Sequence, residues 1–363
     1  MDMLKRWILY LSFAGGNLCG SAHVVDAIYT TELQCAKKGR QNWVNLLRVE
    51  ASLPVKSGSF DMVTQHIYKV RKERIADDWQ VFSNIEENNL PVSLAVLGYT
   101  QKLGSMSLFA GVRNVNEDFF ISPISSLFAN SSCGIFPTLS ANYPLPNYPL
   151  SALCLDYKLQ TGDWHFESSL YNGVAHSGFC DNGGVFAFNL RRDGFFSISS
   201  LAYESNVGNY FCGFTLRNRM CAGNEPGNSV QNSPLQAEKE VSNRMNAAWW
   251  LYVEQPLYKV EEKRIDLLAQ YSENRSVTIG CRRYAGLGAS FSTITSQNRK
   301  QEVGVIVNYA QFTYGAEVAC EVTCKWQLKE HFSLQPALHW ISNNQGAYCI
   351  GMLRANWVIN MIR

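Results

Sequence analysis

Residues Glu317–Leu328 read EVACEVTCKWQL. Val318, Cys320, Val322, Cys324, Trp326 and Leu328 share one parity, while Glu317, Ala319, Glu321, Thr323, Lys325 and Gln327 share the other. Successive side chains of a strand point to opposite faces, so this is a strand with one apolar and one strongly polar side. The rhythm recurs. Leu47, Val49, Ala51 and Leu53 oppose Arg48, Glu50 and Ser52, and Trp164, Phe166 and Leu170 oppose His165, Glu167 and Tyr171. Near the end, Leu353, Ala355, Trp357, Ile359 and Met361 oppose Met352, Arg354, Asn356 and Asn360. Further alternating segments are expected at 92–103, 107–113, 150–159, 195–204, 209–216, 248–255, 264–271, 276–284, 302–312 and 331–339. Arg71–Asp78 is the best short helical candidate, although its charges suit a solvated loop better.

Alternation alone does not separate a soluble β-sandwich, with its apolar side inward, from a barrel with its apolar side in lipid. Three features favour the barrel. Segments of about ten residues match a tilted strand that crosses a bilayer. Aromatic residues recur near strand ends (Trp43, Trp164, Tyr171, Trp249, Trp250 and Trp326), as an interfacial girdle requires. Residues 23–363 divided among roughly 16 strands leave roughly 21 residues for each strand and its connection. The reading is therefore all-β: a transmembrane antiparallel β-barrel of 16 strands in one domain, 23–363. Asn114–Pro149, rich in Asn, Ser and Pro, is long enough to fold inward as a constriction loop, and Ala222–Asn243 reads as an external loop.

The remaining composition sharpens the exclusions. Of 363 residues, 17% are charged, against about 25% in ordinary globular domains, and the net charge is +2. That balance excludes the basic face of a nucleic-acid binder. No apolar run reaches the length of about 18 residues that a membrane-spanning helix needs; the longest are Trp7–Ala14 and Ala247–Val253. Residues 1–22 have the layout of a secretory signal: Lys5 and Arg6, a short apolar core, then Gly20 and Ala22 at a cleavage point. Eleven cysteines form neither a disulfide framework nor a zinc spacing, and are read as small wall residues.

Catalytic signatures are missing: there is no GxSxG, HExxH or Walker sequence, and Gly286-Leu-Gly288 is only a fragment of a dinucleotide fingerprint. Glu317 and Glu321 are four apart on one strand, hence about 13 Å along it. A glycosidase pair needs roughly 5–9.5 Å, so both are expected to face water. No enzyme, cofactor or metal is implied.

Taken in order, several segments resemble the carbohydrate-selective porin family of Gram-negative outer membranes. They are GVRNVNEDFF (Gly111–Phe120), LFANSSCGIFP (Leu127–Pro137), YPLSALCLDYKL (Tyr148–Leu159), DWHFESSLYNG (Asp163–Gly173), RRDGFFSISSLAYE (Arg191–Glu204) and NYFCGFTL (Asn209–Leu216). Late in the chain, AEVACEVTCKWQLKEHFSLQPALHWISNNQG (Ala316–Gly346) is similar to the family's double-Glu strand followed by its Leu-Gln-Pro strand. The eleven cysteines, the terminal Arg363 and the Asn-Asn-Gln at 343–345 depart from the family pattern. The resemblance implies a bacterial outer-membrane pore for small neutral sugars, in contact with lipid and compatible with a homo-oligomer. It places Arg113 most firmly at the constriction, with Asp118, and puts Arg48, Glu317, Glu321 and Lys325 on the lumen wall. The competing readings are a non-conducting adhesion or scaffold barrel, and a secreted β-rich sugar-binding protein or glycosidase.

Overall fold

A computed structural model describes residues 24–142, 145–177, 184–218, 245–277, 279–295 and 298–362. The expected signal at 1–22 and the loop Ala222–Asn243 lie outside these residues. Sixteen antiparallel strands close into one barrel, each paired with its sequence neighbours and β1 with β16. Closure leaves no unpaired edge, the condition for backbone to cross a hydrocarbon layer. In order they are β1 (Val24–Ala36), β2 (Gln41–Val55), β3 (Gly58–Lys69), β4 (Leu90–Leu103), β5 (Met106–Arg113) and β6 (Ala152–Thr161). Next come β7 (Trp164–Asn172), β8 (Phe195–Glu204), β9 (Asn209–Arg217), β10 (Asn246–Val260) and β11 (Lys263–Glu273). The circuit ends with β12 (Cys281–Ile294), β13 (Lys300–Phe312), β14 (Gly315–Lys329), β15 (Phe332–Asn343) and β16 (Gly346–Ile362).

The parity read from the sequence is the parity of the wall, and burial runs inside out. On β14, Val322 and Leu328 are exposed while Glu317 and Glu321 are buried. On β13, Val303, Val305, Val307 and Tyr309 are exposed while Ile306, Asn308 and Ala310 are buried. A sandwich would show the reverse. The described connections at one end of the barrel are short, as at 56–57, 104–105, 162–163 and 261–262. At the other end lie the long ones, including 70–89, 114–151 and 173–194. In outer-membrane barrels short turns face the periplasm and long loops the exterior.

The hydrophobic core sits inside the lumen and is built by the connection 114–151. Phe119, Phe128, Phe136 and Leu139 pack on Trp250, Tyr252, Leu268, Tyr284 and Phe312 of the wall. Phe136 stacks on Tyr284 with ring centroids 5.2 Å apart, and Phe120 meets Trp250 at 5.0 Å. The segment expected to constrict the pore thus folds inward, held against β10–β16 by its own apolar side chains.

Three expectations need correction. Tyr171 and Trp250 are not girdle residues: both are buried on the lumen side. Tyr171 shares the parity of Glu167, and Trp250 lies opposite in parity to exposed Trp249. Arg71–Asp78 is the loop its charges suggest, with Arg71, Lys72, Glu73 and Asp77 exposed. It belongs to the β3–β4 connection, where Ile75 and Ala76 pack with Phe82 against Ala319 and Ile341. The strand expected at 276–284 begins at Cys281 and continues to Ile294, its inner face running from Tyr284 to the small Gly286, Gly288 and Ser290. Strands β1 and β3 carry no clear alternation because Thr31 of β1 and Thr64 and His66 of β3 put polar groups on the outer face, as Asn45 does on β2. There Tyr29 and Thr31 donate to Asn45 Oδ1 at 2.6 and 2.8 Å, which satisfies the amide oxygen without water.

Candidate functional site: the constriction

Arg113 is the last residue of β5, and the chain leaves the wall immediately after it. Asn114 caps the single 3-10 turn that follows, its side chain accepting from the Asn116 N–H. This cap turns Glu117 and Asp118 back toward the wall in opposite directions. Glu117 accepts a two-pronged pair from the Arg48 guanidinium on β2, at 2.8 and 2.6 Å. Arg48 also donates to Glu50, two residues along the same face. Asp118 accepts from Arg113 at 2.7 Å and from Lys158 of β6.

Lys158 reaches Glu167 of β7 at 3.1 Å, and Asp156 lies 3.6 Å from Arg113. Asp156 is held by Ser169 at 2.6 Å. The Arg113 guanidinium also lies over the Phe109 ring at 3.9 Å, within range of a cation–π contact. Gly98 on β4 makes room for that ring: a Cβ there would stand 2.4 Å from Phe109. Asp118, Asp156 and Glu167 form a compact acidic trio, with Arg113 and Lys158 set among them as counter-ions.

Part of this cluster stays wet, while Asp118 and Asp156 are nearly closed off, at 6% and 2% side-chain exposure. Side-chain exposures of 37% for Lys158 and Glu50 and 21% for Arg48 contrast with buried Glu317 and Glu321 on the far side. The middle of the inward loop packs on the β10–β16 wall, whereas its first turn meets the β2–β7 wall through the ion pairs of Glu117 and Asp118. A constriction with fixed donors and acceptors at close quarters can replace the hydration of a polyhydroxyl solute.

Among the residues expected from the sequence, Arg113 and Asp118 form an ion pair, and Arg48 joins them through Glu117. Glu317, Glu321 and Lys325 stand on β14, roughly half-way round the barrel. Glu317 and Glu321 do not face water: inward-folded segments cover both. Glu317 accepts the Trp79 and Gln80 N–H groups at 2.7 and 2.8 Å and the Asn343 amide at 2.7 Å. Glu321 accepts the Ala129 and Asn130 N–H groups at 2.8 and 2.9 Å. The expectation failed because an isolated strand does not reveal what packs on its polar side. Lys325 lines a separate cleft of about 280 Å³ with Pro123, Ser126, Leu127, Lys300, Glu302 and Gln327.

The sequence reading missed Glu117, Asp156, Lys158 and Glu167. Their signal was present: Asp156 and Lys158 keep the polar parity of β6, and Lys158 pairs in register with Glu167. What was missing was the fold of the loop that brings Asp118 to them.

A closed 16-stranded barrel with a loop folded into a charged lumen is the architecture of an outer-membrane porin, a transport channel rather than an enzyme. The profile of the carbohydrate-selective porin, OprB family, matches residues 69–358, and the chain belongs to that family. No curated protein sequence matches the chain. Among solved structures, it is similar to the high-pH structure of Pseudomonas putida OprB, with 12% identity, 94% of each chain covered and a TM-score of 0.73. The anion-selective porin from Comamonas acidovorans matches at 11% identity, covering 94% of this chain and 100% of its own, with a TM-score of 0.58. In-vitro folded OmpT of Vibrio cholerae, in trimer form, matches at 8% identity, covering 94% and 100%, with a TM-score of 0.57. At these identities the structures speak to the fold, and the profile to the family.

Proposed function

We propose that small neutral sugars pass down their gradient between the inward loop and the β2–β7 wall. Arg48, Arg113, Asp118, Lys158 and Glu167 form the constriction, and Lys325 makes a second polar contact below the loop. The observation that carries this reading is the ion-paired ring around Arg113. Its cations and carboxylates satisfy one another, so a passing hydroxyl exchanges hydrogen bonds with them without binding tightly, and weak binding allows exit. We also read the barrel as a homo-oligomer, supported by the trimer form of the similarly folded OmpT.

The test is swelling of proteoliposomes in sugars of graded size, together with single-channel recording. Arg113→Ala removes the donor at the loop's point of departure and is expected to alter both sugar flux and conductance. Unchanged flux and conductance would remove Arg113 from the constriction. A wild-type barrel with no open conductance would instead identify a scaffold.

A further inference from the structure

We infer that three wall carboxylates, Glu254, Glu317 and Glu321, set the aperture of the pore by clamping inward-folded backbone, and act as positioning residues rather than sugar contacts. The inference rests on the sugar-channel reading above and assigns these groups a different part in it.

All three belong to the lumen face of the wall and all three are buried, with exposures of 1%, 0% and 1%. A buried carboxylate is costly unless its charge is compensated. In the constriction that compensation comes from Arg and Lys. Here, among the described residues, no Arg or Lys forms an ion pair with any of the three. Their partners are mainly the donors of the segments they hold.

Glu321 takes two successive N–H groups, from Ala129 and Asn130, in the middle of the β5–β6 loop. Glu254 takes the Ile124 N–H at 3.2 Å and the Ser122 hydroxyl of the same loop, and is itself steadied by the Asn209 amide at 3.1 Å. Glu317 takes the Trp79 and Gln80 N–H groups of the β3–β4 connection. The loop is therefore fastened at two points, from β10 and from β14, and a second inward segment at a third.

Backbone N–H groups turned toward a wall need acceptors that reach out from it. A carboxylate does this with two oxygens at once, and its hydrogen bonds to N–H groups are charge-assisted. The strand ladder does not depend on these bonds. The clamps thus control where the loop lies while the ladder keeps the barrel closed.

The experiment uses the full-length protein in planar bilayers and proteoliposomes, with Glu321→Ala, Glu321→Gln and the double variant Glu254→Ala/Glu321→Ala. Losing two charged hydrogen bonds favours the detached loop by at least about tenfold. The alanine variants are expected to show noisier open-channel current, a larger solute cut-off and a smaller preference for sugars over other neutral solutes of the same size. The glutamine variant, which keeps one acceptor oxygen, is expected to lie between them and the wild type. A barrel check, the heat-induced mobility shift on SDS gels, is expected to remain as in the wild type. Quiet wild-type current and an unchanged cut-off in a correctly folded double variant would overturn the clamp. Absence of sugar flux in the wild type would overturn the channel reading instead, so the two failures are distinguishable.

Discussion

Gly304 shows how a single residue on the wall determines where the loop lies. It is on the inner face of β13, between exposed Val303 and Val305, and the loop presses directly on it. A Cβ at that position would stand 2.7 Å from Leu127 Cδ2 and 2.9 Å from Phe128 Cε1. Something larger than hydrogen must therefore push the loop off the wall and into the lumen. Overpacking of this kind costs about 1–3 kcal/mol. Gly304→Val is expected to lower single-channel conductance while leaving the barrel folded; an unchanged conductance would show that the loop yields elsewhere. The Glu321 clamp grips Ala129 and Asn130, just beyond Leu127 and Phe128, so both devices act on one stretch of loop.

At the scale of the element, each strand has two jobs set by parity. Val305 of β13 is 44% exposed and its neighbour Ile306 is fully buried, although both are apolar. Val305 meets acyl chains, whereas Ile306 meets the inward loop. An Arg on the lipid side at the bilayer midplane costs about 2–4 kcal/mol. Val305→Arg is therefore expected to lower the urea midpoint of the vesicle-folded protein, whereas Val305→Leu is expected to leave it unchanged. Equal midpoints for the two would contradict the assigned parity. The same logic separates residues that were legible from those that were not. Glu317 and Glu321 share one parity in EVACEVTCKWQL and one buried face of β14, because parity is a local property of one strand. That both are covered follows from segments more than 190 residues away in sequence, which no local pattern specifies.

For the molecule as a whole, the cysteines fit a barrel that faces lipid outside and a packed loop inside. Eight described cysteines are unpaired. Cys320 and Cys324 share the outward parity of Val322 on β14. Cys133 is buried in the loop, its sulfur accepting from Asn308 at 3.4 Å. Burial and the nearby Glu321 carboxylate push the Cys133 thiol well above its ordinary range, and the thiolate is the reactive form. In proteoliposomes a charged, impermeant maleimide is expected to spare Cys133, Cys320 and Cys324 until the protein is denatured, as read by peptide mass spectrometry. Labelling of Cys133 in the folded Glu254→Ala/Glu321→Ala variant, and not in the wild type, would report the loop leaving the wall.

By itself the sequence determined that the chain alternates, that its strands are long enough to cross a bilayer, and that Asn114–Pro149 is long enough to enter the pore. Alternation and length are short-range properties, set by the geometry of one strand. Only the tertiary structure decided which polar residues meet the solute and which hold the loop. That choice depends on side chains brought together around a closed circuit, where Arg113 finds Asp118 and Asp156 while Glu321 finds the backbone of Ala129.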